Sequence, residues 1–277
     1  MATLVNGKNI SKKIKETIKN YVEQSPHSLS FHIVYVGSDP VVDNFIKYKQ
    51  EFGEAIGVHV VVHRYANDVL QTTLIEAIAE ISHEADGMIV QLPLPGHLDR
   101  DTILNAVPPE KDVDVLSLSS QELFSDGTTK FFPPVTGAIV EVFNHHNIDL
   151  NNKKIVLIGN GTLVGYPTSL WLTREGYEHT IIDRSTDDVT RKELIQSADI
   201  IISGAGVPGM ITPDLVKKGV VLIDAGTSES GKKIIGDIHP DCANVASVMT
   251  PVPGGIGPIT IAVLYKNLMY AHMNRYA

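Results

Sequence analysis

The sequence predicts an α/β protein in two domains. Three observations carry that prediction. Short β-branched runs alternate with amphipathic segments along most of the chain. The alternation breaks once, between Pro108 and Gly137, where charge, Ser and Pro accumulate and strand signals vanish. A length of 277 residues suffices for two domains of ordinary size.

The elements follow in order. Residues 1–24 carry Lys8, Lys12, Lys13, Lys15 and Lys19, with Ile10, Ile14, Ile18, Tyr21 and Val22 at helical spacing. Glu16, Glu23 and the absence of Arg favour a first amphipathic helix over a transit peptide. Residues 31–36 read as a strand, followed by a helix over about 41–56 with Asp39 as N-cap and Pro40 in the first helical position. A strand over 58–63, a helix over 72–83 and an apolar strand over 87–92 complete a βαβ series. After the interruption come a helix over 138–146, a strand over 154–158, a helix over 163–175 and a strand over 178–182. Residues 198–203 and 220–224 are Ile- or Val-rich strands, and a helix over about 259–276 closes the chain.

Composition narrows the function classes. With 23 Lys and Arg against 32 Asp and Glu, the net charge of −9 argues against nucleic-acid and membrane-surface partners, which need a basic face. A hydrophobic content of 43% describes a globular, soluble chain. The single Cys242 excludes an intramolecular disulfide and fits a reducing, cytoplasmic setting. Eleven histidines show no metal-ligand spacing, so no metal site is expected. No apolar run approaches the roughly 20 residues that span a bilayer.

Gly159-Asn160-Gly161-Thr162-Leu163-Val164-Gly165 follows the strand IVLI and opens a helix. The first glycine permits a tight turn, the second admits a pyrophosphate to backbone N–H groups, and the third lets helix and strand approach. With Asp183 at the end of the next strand, the arrangement points to a Rossmann-type dinucleotide-binding domain; a purely structural turn is the bland alternative. An acid at that strand end accepts a ribose 2′-hydroxyl and repels a 2′-phosphate, whereas the adjacent Arg184 and Ser185 suit the phosphate. NAD against NADP stays open on these residues alone.

Val36-Gly37-Ser38-Asp39-Pro40 is followed by Phe45, Lys49 and Gly57, with Val42, Phe45 and Lys49 at i, i+3, i+7 on one helix face. Val90-Gln91-Leu92-Pro93-Leu94-Pro95, then Pro109-Glu110-Lys111-Asp112-Val113-Asp114, then residues 250–260 (TPVPGGIGPIT) complete the set. In these motifs, and over essentially its full length, the chain resembles the bifunctional methylenetetrahydrofolate dehydrogenase/cyclohydrolase family. The resemblance implies an N-terminal three-layer αβα folate-binding catalytic domain over 1–121 and an NAD(P)-binding domain over 122–259. Residues 260–277 return to the first domain, and the active site lies in the cleft between the two.

The resemblance also assigns roles. Lys49 matches the catalytic lysine of the hydrolytic step, Gln91 the residue that orients it, and Asp114 the carboxylate that pairs with the pterin donors. Phe45, Pro93, Leu94, Pro251, Gly254, Gly255 and Pro258 are the other substrate-binding candidates; residues 251–257 border the nicotinamide. The cofactor candidates are Gly159, Asn160, Gly161, Thr162, Val164, Gly165, Asp183, Arg184 and Ser185, with Gly204, Gly226 and Thr260. NADP is the expected cofactor, with NAD possible, and a homodimer the expected assembly. Each residue has a plain alternative: Lys49 as a solvated lysine beside Lys47, Gln91 and Asp114 as caps, the Gly-Pro loop as a turn.

Departures from the family gather on the active-site face. Phe45 stands where the family has Tyr, and Val42 where it has Ser, which removes two hydroxyls beside Lys49. Gly159-Asn160-Gly161 replaces Gly-Arg-Ser, and Asp183-Arg184 replaces His-Ser. Residues 133–137 (PPVTG) replace the family's Pro-Cys-Thr-Pro segment. These changes weaken the expected NADP preference and bear on hydrolysis more than on hydride transfer. A monofunctional dehydrogenase, NAD-dependent in one version, and a silent ligand-binding paralogue are the competing readings.

Overall fold

The structure, a computed structural model, describes residues 1–230 and 233–276. In chain order the elements begin with β1 (Thr3–Leu4), α1 (Gly7–Gln24), β2 (Ser30–Val36), α2 (Pro40–Glu54), β3 (His59–Tyr65), α3 (Gln71–Glu84) and β4 (Gly87–Val90). The middle of the chain supplies α4 (Arg100–Leu104), α5 (Leu118–Ser125) and α6 (Pro134–His145). Then come β5 (Ile155–Ile158), α7 (Gly165–Arg174), β6 (His179–Ile182), α8 (Asp188–Ser197), β7 (Ile200–Ser203) and β8 (Val221–Asp224). The antiparallel pair β9 (Ser228–Ser230) and β10 (Lys233–Ile235), then β11 (Val248–Met249) and α9 (Ile256–Arg275), complete the chain.

Two compact units emerge. One comprises Lys13–Pro134 and the chain from Ile261. Its sheet is parallel, in the order β3-β2-β4, with β2 buried except at Ser30. Alternation along β2 divides the core into two layers. Val34 and Val36 pack with Leu74, Ile78 and Ile81 of α3 and with Ile103 and Leu104 of α4. On the opposite face Phe31 meets Tyr265 of α9, with ring centroids 5.3 Å apart. Helices on both faces of the sheet make the expected three layers, and the C-terminal helix packs in this unit. Its segment IAVLY–LM is buried almost all round, so it must lie inside a protein core.

The other unit comprises Met1–Lys12 and Val135–Thr260. It holds a six-stranded parallel sheet in the order β1-β11-β8-β7-β5-β6. Ile158, Ile201, Ile211, Leu222 and Met249 are among its core. The sequence places the boundaries at 121/122 and 259/260; the compact units divide at 134/135 and 260/261. Residues 1–12 join the six-stranded unit because β1 pairs with β11 at its edge, Thr3 against Val248 and Leu4 against Met249. Two-residue strands carry no readable alternation, which is why β1 and β11 escape sequence reading.

Three helices also lack a sequence signal. α4 is only five residues long, α5 (LSSQELFS) and α8 (DVTRKELIQS) are mostly polar, and none shows a broad apolar stripe. The helix expected from Leu163 starts instead at Gly165, because residues up to Val164 form the turn over the glycine loop. The last helix starts at Ile256 rather than Ile259, taking in Gly257 and Pro258.

Candidate active site

In the three-stranded unit the site is built on α2 and the end of β4. Asp39 caps α2 as expected: its Oδ1 accepts from the N–H groups of Val41 at 2.8 Å and Val42 at 3.1 Å, and Pro40 occupies the first turn. Lys49 lies three turns on, half-buried, and its Nζ donates to Oε1 of Gln91 at 2.8 Å. Gln91 is fixed at both ends. Its backbone N–H continues the β4 ladder to Val34 O at 2.8 Å, and its Nε2 donates to Leu92 O at 2.8 Å. Gln91 therefore meets the Lys49 ammonium with a side chain that is itself held by Leu92 O.

Asp114 completes the group. Burial pushes its carboxyl up to about 6, with the Lys49 ammonium pulling it down and Asp112 pushing it further up. Burial likewise lowers the Lys49 ammonium, against the opposing charge of Asp114. Desolvation thus drives both partners toward neutrality while each favours the other's charged form. The neutral amine of Lys49 is therefore more accessible than that of a solvated lysine.

Phe45 stands one turn before Lys49 and is 38% exposed, so its ring is available to a flat ligand. Val42 is placed differently from the sequence expectation: it is buried with Ile46 and Gly53. A serine hydroxyl at this position would therefore sit in apolar packing rather than free beside Lys49. Pro93 is exposed and Leu94 half-buried in the segment after Gln91, which starts with a cis Leu92–Pro93 bond.

Two supporting residues give no motif in the sequence. Tyr265 donates to Lys49 O at 2.7 Å. Asn267, fully buried, donates through Nδ2 to Val113 O at 2.8 Å and to Phe132 O at 2.7 Å, and accepts from Phe132 N–H at 3.1 Å. It anchors the residue just before Asp114. The only signal is an amide set among the mostly apolar residues 261–271 of that helix, where a buried amide must find partners.

In the six-stranded unit, β6 and β7 flank β5 on opposite sides, so the strand order reverses at the carboxyl ends of β5 and β7. Such reversals are where parallel sheets receive ligands. Gly159 follows β5 with φ +91°, and a Cβ on it would lie 2.8 Å from Gly204 O, at the end of β7. A Cβ on Gly165 would collide with Gly159 O, so this glycine is required by helix–turn contact. Gly161 has nothing within 4 Å. It borders open space, as expected of a loop that a pyrophosphate approaches. Asn160 and Thr162 are exposed beside it, and Val164 ends the turn with no side-chain cap on α7; Tyr166 N–H turns back to Gly161 O at 3.1 Å, and Pro167 has no N–H to offer.

Asp183 ends just beyond β6, exposed, and its Oδ1 accepts from Ser185 N–H at 2.8 Å and Ser185 Oγ at 2.6 Å. Those bonds hold its carboxyl below the usual range. Ser185 is therefore engaged with Asp183, whereas Arg184 is exposed next to it. The segment with Pro251, Gly254, Gly255 and Pro258 also belongs to this unit. It turns sharply at Gly255, whose N–H donates to Pro251 O at 2.8 Å, and at Gly254, with φ +103°. Thr260 turns its hydroxyl back to Ile256 O at 3.2 Å, so in this conformation it serves its own helix. Gly226 packs directly on the Asp237 carboxylate. Among the described residues no group of three His, Cys, Asp or Glu is placed to hold a metal ion.

Comparison with known proteins assigns the family. The family model for the tetrahydrofolate dehydrogenase/cyclohydrolase catalytic domain matches residues 5–114, and the model for the NAD(P)-binding domain of the same family matches residues 133–276. A bifunctional protein FolD from Aquifex aeolicus is 34% identical, over 100% of this chain and 97% of its own length. One from Lacticaseibacillus paracasei is 36% identical, over 95% of each chain. The solved bifunctional FolD of Campylobacter jejuni superposes with a TM-score of 0.94 at 31% identity, covering 99% of this chain and 100% of its own. By two family models that together span most of its residues, and by relatives matched end to end, the chain belongs to the tetrahydrofolate dehydrogenase/cyclohydrolase family.

Proposed function

We propose that the chain oxidises 5,10-methylenetetrahydrofolate with NADP to the 5,10-methenyl cation and hydrolyses that cation to 10-formyltetrahydrofolate. The observation that carries the reading is the Lys49–Gln91 hydrogen bond, with the half-buried Asp114 close enough to act on the Lys49 charge. The dinucleotide supplies a hydride acceptor; the protein's share of that step is alignment, with the Gly159–Gly165 turn and the α7 N-terminus holding the pyrophosphate. The product cation is stabilised by its two flanking nitrogens, so no base is required for oxidation.

Hydrolysis does require one. Neutral Lys49, held by Gln91, takes a proton from water as the oxygen bonds to the methenyl carbon. The same ammonium returns a proton to N5 of the folate as the carbon–N5 bond breaks, and the added hydroxyl gives up its remaining proton to solvent as the carbonyl forms, leaving the formyl group on N10. Asp114, ionised, accepts the amino and N–H donors of the pterin ring, and Phe45 offers it a stacking face. Pro93, Leu94, Pro251, Gly254, Gly255 and Pro258 complete the folate contacts in this reading. Gly204, Gly226 and Thr260, with Asn160, Thr162, Val164, Arg184 and Ser185, complete those to the dinucleotide.

NADP is supported by the solved FolD of Trypanosoma brucei, complexed with NADP at 25% identity and a TM-score of 0.93, and by Arg184 here. A second reading, use of NAD, is favoured by one observation: the exposed carboxylate of Asp183. In the wider reading the chain is a cytoplasmic homodimer of one-carbon metabolism that feeds purine, methionine and histidine synthesis. Its acidic charge and a single buried Cys242 support that compartment, and the edge strand β6 offers a surface for pairing. In this reading the folate domain takes in 1–121 with 260–277 and the dinucleotide domain 122–259, except that residues 1–12 pair at the edge of the six-stranded sheet. No helix among the described residues is long and apolar enough to cross a membrane.

The test follows methenyl absorbance from methylenetetrahydrofolate with NADP and with NAD, then its decay after the dinucleotide is removed. Turnover with NADP and subsequent decay are expected. Binding of both ligands without turnover would overturn the reading.

A further inference from the structure

At the carboxyl ends of β7 and β8 lie two buried carboxylates that the proposed chemistry does not use. Asp237 is fully buried and receives four donors. Its Oδ2 accepts from Ser203 Oγ at 2.7 Å, Ala205 N–H at 2.8 Å and Gly206 N–H at 3.3 Å, and its Oδ1 accepts from Val207 N–H at 2.8 Å. An acceptor-only carboxylate takes about four hydrogen bonds, so the group is saturated by a single segment. Asp224 is buried to the same degree and repeats the device one layer down. Its Oδ1 accepts from Gly226 N–H at 3.0 Å and from Asp237 N–H at 3.2 Å, and its Oδ2 from Ile238 N–H at 2.8 Å. The Asp224 N–H in turn donates to Thr250 Oγ1 at 2.6 Å.

These bonds form a chain of supports. Thr250 holds Asp224, Asp224 holds the backbone of Asp237, and Asp237 holds residues 205–207. What the chain holds up is one wall of the crevice where the strand order reverses, since Gly204 O lies against Gly159. Two glycines show how closely the parts fit: a Cβ on Gly226 would overlap the Asp237 carboxylate, and one on Gly236 would overlap that of Asp224. Three successive N–H groups pointing at one carboxylate make a concavity of the kind that binds anions. Here the protein fills it with its own side chain. The loop after β7 is neither helix nor strand; besides the four bonds to Asp237, Gly204 N–H donates to Ile158 O at 2.9 Å, Ser228 Oγ to Gly206 O at 2.9 Å and Met210 N–H to Val207 O at 3.4 Å.

We propose that Asp237 is a positioning residue for dinucleotide binding, acting by holding residues 204–207 as a wall of the crevice; this rests on the dinucleotide reading above. It touches no reacting atom. A positioning role predicts a split that a general loss of fold does not. Hydrolysis of methenyltetrahydrofolate needs no dinucleotide and uses Lys49, Gln91 and Asp114, so it provides an internal control.

The test compares wild-type protein with Asp237→Asn and Ser203→Ala by calorimetric titration with NADP and NAD, steady-state kinetics, hydrolysis rate and thermal unfolding. Asp237→Asn is expected to weaken dinucleotide binding at least tenfold, with kcat at saturating dinucleotide and the hydrolysis rate within about twofold of wild type. Ser203→Ala removes one donor and leaves the other three, so it gives a smaller weakening of the same kind if Asp237→Asn does not fold. Unchanged dinucleotide affinity in a folded variant overturns the proposal. So does a parallel fall in hydrolysis and binding, the mark of a merely structural group. Wild-type protein that binds neither dinucleotide fails the functional reading itself, and the Asp237 proposal with it.

Discussion

The hydroxyl of Tyr265 donates a 2.7 Å hydrogen bond to the carbonyl oxygen of Lys49. The last helix thereby grips α2 at the residue proposed to carry the proton in hydrolysis. Its ring stacks on Phe52 at 5.0 Å and meets Phe31 edge-on at 5.3 Å, and Gly53 leaves the space that lets it approach. Tyr265→Phe keeps the stacking and removes only the bond. A loss of about 1 kcal/mol in stability is expected, together with a several-fold fall in hydrolysis. Dinucleotide affinity is expected to stay unchanged. Chemical denaturation, hydrolysis assays and titration with NADP measure the three quantities.

Lys49→Met removes the proton carrier and retains the apolar stem. Because general acid–base groups contribute about 10²- to 10⁴-fold, hydrolysis is expected to fall by at least a hundredfold. Oxidation needs alignment only, and a measurable part of it is expected to survive. The hydrolysis rate of the wild-type protein should rise with pH through the lowered pKa of Lys49, since the neutral amine is the working form. A variant that loses both activities in proportion would remove the division of labour.

Asp114 sets stability against binding. Its carboxyl is raised from 3.8 to about 6, chiefly by burial, so the folded chain binds this proton more tightly than the unfolded chain does. The ionised group therefore costs the fold nothing below about pH 4, an increasing amount from there to about 6, and on the order of 3 kcal/mol above it. Asp114→Asn is expected to raise the melting temperature at pH 7.5 while abolishing tight folate binding. In the wild-type protein, kcat/KM for the folate should fall as pH drops through about 6, because a protonated Asp114 no longer accepts two pterin donors. A variant less stable than wild type at pH 7.5 would contradict the sign.

Much of this site is legible in the sequence, and the reason is local. Asp39-Pro40 specifies a helix start by its own hydrogen bonds and φ, Gly159 and Gly254 occupy backbone conformations that side chains resist, and an apolar run such as GMIV has little choice but a buried strand. What stays hidden depends on distant partners. Tyr265 and Lys49 are 216 residues apart in the chain, and Asp237 and Ser203 are 34 apart, so no spacing rule pairs them. Val42 shows the converse limit: helical periodicity groups it with Lys49, but only tertiary packing reveals that it belongs with Ile46 in the core. β1 and β11 exist through pairing alone.

The glycine loop separates structural from ligand requirements. At Gly165 an added Cβ meets Gly159 O, so Gly165→Ala is expected to destabilise the six-stranded unit by several kcal/mol or to prevent folding. At Gly161 an added Cβ meets nothing, so Gly161→Ala should melt within a few degrees of wild type. Its methyl nevertheless occupies the space through which a pyrophosphate reaches the loop. At least a tenfold weaker NADP affinity with normal hydrolysis is the expected result. Thermal unfolding and titration of the two variants side by side distinguish the two kinds of glycine.

Asp183 and Arg184 oppose one another in cofactor choice. The carboxylate of Asp183 is stiffened by two bonds from Ser185 and held ionised by them, so its negative charge is present at every physiological pH. It repels a 2′-phosphate and accepts a ribose hydroxyl, while Arg184 attracts the phosphate. Replacing Asp183 by Ser removes the repulsion and leaves the arginine. The ratio of kcat/KM with NADP to that with NAD is expected to rise about tenfold, equivalent to about 1.4 kcal/mol of discrimination. Arg184→Ala should move the same ratio the other way, and its effect should shrink as ionic strength rises, because both groups are exposed. If Asp183→Ser left the ratio unchanged, the carboxylate would not face the adenosine ribose, and the preference for either dinucleotide would have to be set elsewhere in the six-stranded unit.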